Sequence, residues 1–168
     1  MTGEMSQRFG RCLEDFEVGA IYQHPLGRTI TETDNVWFTA LTMNTNQLHF
    51  NNDYATDGMF GRALVVSTLT LAVVTGLSVM DVSQHAIANL GWDNVRLSNP
   101  VFVGDTLYAE TRVDGVRESA SRPNAGIVTV RTRGLNQDGA VVITFDRNIL
   151  VAKRGHEPQP FPATHEPW

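Results

Sequence analysis

The run ALVVSTLTLAVVTGLSVM, residues 63–80, constrains this chain more than any other stretch. It carries no charged side chain, so it belongs out of water. Ser67, Thr68, Thr70, Thr75, Gly76 and Ser78 interrupt it, and a bilayer-spanning helix needs roughly 20 mostly apolar residues. It therefore reads as a core helix, apolar on most faces and surrounded by protein. Ser67 is the expected N-cap, because its hydroxyl can accept from amides one turn ahead.

What surrounds such a helix is written in the second half. NLGWDNVRLSN, DTLYAETRVDGVRES, GIVTVRTRGLN and AVVITFDRNILVAKR read as successive strands. Leu107, Ala109, Thr111 and Val113 alternate with Tyr108, Glu110 and Arg112, the period-two pattern of a half-buried strand. Gly104-Asp105, Ser121–Gly126 and Gln137-Asp138-Gly139 punctuate the runs, and Asp-Gly between β-rich segments predicts a hairpin. A strand, short helices, one long helix and then antiparallel strands make an α+β plan, a sheet wrapped around one central helix. Residues 1–12 are expected to form a flexible leader, 13–154 the domain, and 155–168 a Pro-rich tail draped over the surface.

Composition narrows the partners. The 168 residues suit one domain. The net charge of −5 and the absence of basic clusters argue against nucleic acid and acidic membranes. Cys12 is the one cysteine, so no intrachain disulfide forms. The N-terminal MTGEMSQRFG lacks the apolar core of a signal peptide, and a cytoplasmic protein is expected. The five histidines are scattered, none at ligand spacing with another His, Cys or Asp, so no metal is expected.

The chemistry concentrates before the long helix. Thr31-Glu-Thr-Asp34 predicts a helix start, and Asn51-Asn52-Asp53 a capped helical turn. Between them lies LTMNTNQLHF, residues 41–50, with amides and one imidazole set among apolar residues.

LTMNTNQLHFNNDYA, FGRALVVSTLTLA and NVRLSNPVFVGDTL, in that order, resemble the MaoC-like dehydratase and (R)-specific enoyl-CoA hydratase branch of the hotdog superfamily. The resemblance runs from about residue 16 to about residue 152. Within the branch it is most similar to the mesaconyl-CoA and itaconyl-CoA hydratase and β-methylmalyl-CoA dehydratase group. It implies a single hotdog fold and a hydro-lyase acting on an α,β-unsaturated acyl-CoA thioester, with a branched C5 dicarboxylic acyl group. It implies no cofactor beyond the CoA ester that serves as substrate, and a homodimer or dimer of dimers. The family signature sets an aspartate and a histidine five residues apart, with asparagine between. Here His49 holds the histidine position and Asn46 the intermediate asparagine. Asn44 stands where the aspartate is usual, and Gln47 where proline is usual.

Hydration needs a base for water, an acid for the α-carbon and donors for the enolate oxygen. His49 can supply base or acid, since imidazole titrates near neutral pH. Asn44 and Asn46 can orient water, yet a carboxamide cannot take a full proton. Either His49 works alone, or Asp34, Asp53 or Asp57 approaches it, or the site is degraded. Asn44 and Asn46 can equally be loop residues bonded to their own backbone. Ser67 aligns with the family residue whose amide forms the oxyanion hole, with Thr68 beside it at the positive helix end. Arg62 can meet a substrate carboxylate or CoA phosphate, or simply pair with Asp57. Arg28, Arg96, Arg131 and Arg133 are further candidates for CoA phosphates. Residues 64–80 contain no Asp or Glu, which counts against a hotdog thioesterase. A non-catalytic acyl-CoA-binding or partner subunit is the other reading left open by Asn44.

Overall fold

The computed structural model describes residues 10–157. Short strands β1 (Ile21–Gln23) and β2 (Arg28–Thr29) lead to helix α1 (Glu32–Leu41), a helical turn α2 (Asn52–Thr56) and helix α3 (Ser67–Leu77). Four long strands follow: β3 (Ala86–Leu97), β4 (Thr106–Glu118), β5 (Ala125–Leu135) and β6 (Val141–Ala152). They form one antiparallel sheet in the order β1-β4-β5-β6-β3, with β2 pairing the start of β4. The α+β hotdog expectation holds.

The alternation in β4 places Leu107, Ala109, Thr111 and Val113 inward, all nearly or fully buried. α3 lies on that concave face. Leu69 and Val74 pack with Ile30, Val65, Val101, Leu107 and Phe145. The helix sits so close to β5 that a Cβ on Gly134 would lie 2.6 Å from a Val74 methyl, so this position requires glycine. A second apolar cluster, including Phe16, Val82, Val113 and Ile149, closes the other end of the sheet.

Two expectations about the long helix change. Its N-cap is Val66, and no side chain of its own caps it. Ser67 is already the first helical residue. The Asn35 carboxamide oxygen accepts the Val66 N–H at 2.9 Å instead, so the cap comes from another helix and is invisible in local spacing. Nor is α3 enclosed on all sides. Thr68, Ala72 and Gly76, spaced four apart on one face, are exposed. One sheet can cover only one flank of a helix. Beyond Leu77 the chain adds a π-helical turn, Val79–Ser83.

Residues 10–12 of the expected leader are held by the domain. Arg11 bonds Asp81 at 2.7 Å and stacks on Tyr22, and Cys12 is buried. The rest of the leader and residues 158–168 of the Pro-rich tail lie outside the described residues. Among the described residues no helix is long and apolar enough to cross a membrane.

Candidate active site

The site is built where three segments meet at the start of α3. Thr31 caps α1 by accepting from the Asp34 N–H, and the Asp34 carboxylate answers the Thr31 N–H at 2.8 Å, a reciprocal box that sets the helix entry. With α1 so started, Asn35 falls on its buried face, 1% exposed. Its amide nitrogen donates to the His49 carbonyl at 2.7 Å and to the Leu64 carbonyl at 3.2 Å. Its oxygen takes the Val66 N–H. One carboxamide thus ties α1, the histidine loop and the entry to α3. The entry is pinned further. Leu64 N–H bonds the Leu48 carbonyl at 3.1 Å, and Val65 N–H the Val101 carbonyl at 2.9 Å.

His49 ends a short 3-10 turn, Gln47–His49. Its Nδ1 lies 2.8 Å from the Leu64 carbonyl oxygen. A carbonyl only accepts, so Nδ1 must carry the proton. In the neutral ring Nε2 is then the acceptor. His49 is half-buried and lines a cleft of about 220 Å³ with Glu32, Asn35, Asn52, Arg62 and Phe102. A neighbouring cleft of about 280 Å³ is lined by Phe60, Leu64, Ser67, Thr70 and Pro100. Phe60 and Phe102, edge to face at 6.0 Å, stand one in each lining. His49 and Ser67 therefore flank the same Leu64–Val66 segment but open onto adjacent clefts.

The expected residues sort clearly. At the α3 start the N–H groups of Ser67 and Thr68 have no intrahelical partner, and both residues are exposed, so the donors expected for a thioester oxygen are free. Ser67 lines the 280 Å³ cleft, and Thr68 lines neither that cleft nor the one at His49. Arg62 lies on the His49 cleft with its guanidinium 3.6 Å from the Phe102 ring centroid. It makes no ion pair with Asp57 or any other described acid, which removes the structural-pair alternative. Arg28 is committed to Asp34, Arg131 to Asp146 and Arg133 to Glu110. Among the described residues Arg96 donates to the Val95 carbonyl alone.

Asn44 and Asn46 serve their own loop. The Asn44 oxygen accepts the Asn46 N–H at 3.0 Å, and the Asn46 oxygen accepts the Leu48 N–H at 3.1 Å. Neither lines the His49 cleft. Asp34, Asp53 and Asp57 do not line it either. The carboxylate brought there is Glu32, whose oxygen accepts from the Asn52 amide at 3.3 Å.

Sequence reasoning missed Asn35 and Glu32. A signal existed. Glu32, Asn35 and Val36 follow the i, i+3, i+4 spacing of one helix face, and all three line the cleft. Without knowing what α1 packs against, that face could not be told from a solvated one.

A second polar network lies far from this site, at the end of α3. The fully buried His24 side chain bonds Asp81 through Nδ1 at 2.9 Å and Thr111 through Nε2 at 2.9 Å. Burial pushes the His24 imidazole below its ordinary range, and the Asp81 bond only partly offsets this. Burial pushes the Asp81 carboxyl up, but its bonds from His24 and Arg11 outweigh that and hold it low. Nearby, buried Arg147 donates to the Ser78 hydroxyl at 2.7 Å with no carboxylate partner among the described residues, and desolvation lowers it to about 10.

Comparison with known proteins places the chain in a family. The mesaconyl-CoA hydratase family model matches residues 4–159. The mesaconyl-CoA hydratase of Cereibacter sphaeroides is 36% identical over 163 residues, covering 96% of this chain and 47% of that protein. The β-methylmalyl-CoA dehydratase of Chloroflexus aurantiacus is 36% identical over 145 residues, covering 86% of this chain and 41% of that protein. A MaoC domain dehydratase structure from Chloroflexus aurantiacus superposes with a TM-score of 0.82 at 35% identity, covering 94% of this chain and 44% of that one. The chain spans about half the length of the curated relatives it matches.

Proposed function

The chain belongs to the mesaconyl-CoA hydratase family, and from that premise we propose that it is a hydro-lyase adding or removing water across the double bond of an α,β-unsaturated acyl-CoA thioester. The observation that carries the reading is the Leu64 carbonyl. By accepting from His49 Nδ1 it leaves Nε2 to exchange protons with substrate or water. The same segment runs on into the first turn of α3, whose free amides can hold the thioester oxygen as it becomes an enolate. Arg62, stacked and without a counter-ion among the described residues, is placed for an anionic group. A branched C5 dicarboxylic acyl chain, as in mesaconyl-CoA, supplies one. The chemistry as proposed needs no cofactor. We place it in the cytoplasm.

The working unit is read as two hotdog domains, the second from another copy of this chain. Strand β3 is the sheet's long edge, and among the described residues no strand pairs with its outer side. Ile87, Leu90, Trp92 and Leu97 are exposed along it. An open apolar edge of that length invites pairing, and the exposed α3 stripe lies beside it, with Trp92 Nε1 3.4 Å from the Thr75 hydroxyl. Relatives of twice the length support a two-domain unit.

The second reading, a non-catalytic acyl-CoA-binding or partner subunit, is favoured by Asn44 in the acid's usual place. Loss of the enoyl absorbance of mesaconyl-CoA and crotonyl-CoA decides between them. Turnover that disappears in His49→Ala establishes the hydratase, and the better ester names the acyl class. Tight binding of either ester without turnover establishes the subunit.

A further inference from the structure

We infer that Glu32 is the second proton-transfer group of the His49 cleft, the carboxylate that works opposite the imidazole when water adds to the acyl-CoA double bond. This rests on the hydration reading above and supplies what that reading lacks, an acid–base partner for His49.

Glu32 is the one carboxylate among the residues lining the cleft. Its position is set by the fold. It opens α1 one turn before Asn35, and Asn35 bonds the carbonyl of His49 itself at 2.7 Å. The helix face bearing Glu32 is therefore locked to the histidine loop. The Asn52 amide, 3.3 Å from Oε1, draws the carboxylate toward α2, on the cleft side of the helix. Among the described residues Glu32 makes no ion pair, unlike several other acids of the chain. Asp15, Asp34, Asp81, Glu110 and Asp146 each hold an arginine. A carboxylate locked in an ion pair is a poor base, and Glu32 escapes that. Asn44, by contrast, is turned into its own loop and could not take a proton in any case.

The step balances with these two groups. The Glu32 carboxylate takes a proton from a water molecule while that water's oxygen bonds the β-carbon. The π pair moves through the α-carbon onto the thioester oxygen, which the α3 amides receive. The enolate pair then returns, and the α-carbon takes the proton from the protonated His49 Nε2. The proton left on Glu32 passes through solvent to the imidazole. One water is consumed and both groups recover their starting state.

The test is steady-state hydration of mesaconyl-CoA and crotonyl-CoA by the full chain and by Glu32→Gln, Glu32→Asp and His49→Ala. The expected result is that Glu32→Gln lowers kcat by about 100-fold or more with KM little changed, and that Glu32→Asp recovers part of the loss. Glu32 is exposed, so the thermal midpoint of Glu32→Gln stays near that of wild type and separates lost chemistry from lost fold. If Glu32→Gln keeps the wild-type kcat, the assignment fails while hydration stands. If KM rises and kcat holds, Glu32 binds substrate and moves no proton, and the assignment fails again. If wild type turns over neither ester, both readings fall together.

Discussion

The Asn35 side chain donates to the main-chain carbonyl of His49 at 2.7 Å. A buried amide on one helix thus carries the backbone that presents the imidazole, and the same amide caps the helix whose first amides are proposed to hold the thioester oxygen. The two halves of the site are coupled through one residue.

Replacing Asn35 tests that coupling. Asn35→Ala strands a buried N–H at Val66 and removes a partner from two carbonyls. Stability should fall by about 2–4 kcal/mol, read as a shift in urea or thermal unfolding. Asn35→Asp should cost more, because it sets an acceptor against the His49 and Leu64 carbonyls. In both variants kcat should fall with stability, since His49 and the α3 entry are positioned together.

Arg62 separates two anions. If it meets the acyl carboxylate, Arg62→Ala should raise KM for mesaconyl-CoA by about 10- to 100-fold, the loss of a charge-assisted pair, and leave crotonyl-CoA nearly unchanged. Equal losses on both esters would assign it to the CoA phosphates. Arg62→Lys should recover little, because stacking on Phe102 needs a planar guanidinium. Unfolding should be nearly unaffected, as the side chain is exposed.

The His24–Asp81 pair should make the fold acid-sensitive. His24 titrates lower in the folded chain than its ordinary 6.5. As pH falls through that value, the unfolded chain binds the proton first, so stability drops with falling pH until the folded pKa is passed. Asp81 adds to the loss only lower down. Its folded pKa lies below the ordinary 3.8, so its contribution is lost as pH falls through that range. Thermal melts between about pH 7.5 and about pH 5 should show the loss in wild type. His24→Gln should be less stable at neutral pH and flatter across this interval.

The β3 edge predicts the assembly. Light scattering should give a mass of at least twice 18.6 kDa. Leu90→Lys or Trp92→Glu should drive the protein toward single chains, because charges along an open strand edge oppose pairing. A single-chain mass for wild type would remove the dimer.

Much of this protein was determined by the sequence alone. Period-two alternation in Leu107–Val113 fixed which face of β4 is buried, because strand side chains alternate whatever lies opposite. The uncharged run 63–80 marked where the core helix lies, and residues 67–77 of it form α3. The capping box at Thr31–Asp34 and the cap at Asn51 are local chemistry, complete within a turn. The Asn46–His49 spacing singled out the loop whose histidine lines the cleft. What the tertiary structure decided was every relation across elements. Asn35, not Ser67, caps α3. Glu32, not Asp34, Asp53 or Asp57, shares the cleft with His49. Among the described residues Arg62 makes no ion pair, while Arg131 and Arg133 are paired. These partners lie up to dozens of residues apart in the chain, and a hydrogen bond reaches only about 3 Å. Spacing along the sequence says which groups a segment offers. Only packing says which of them meet.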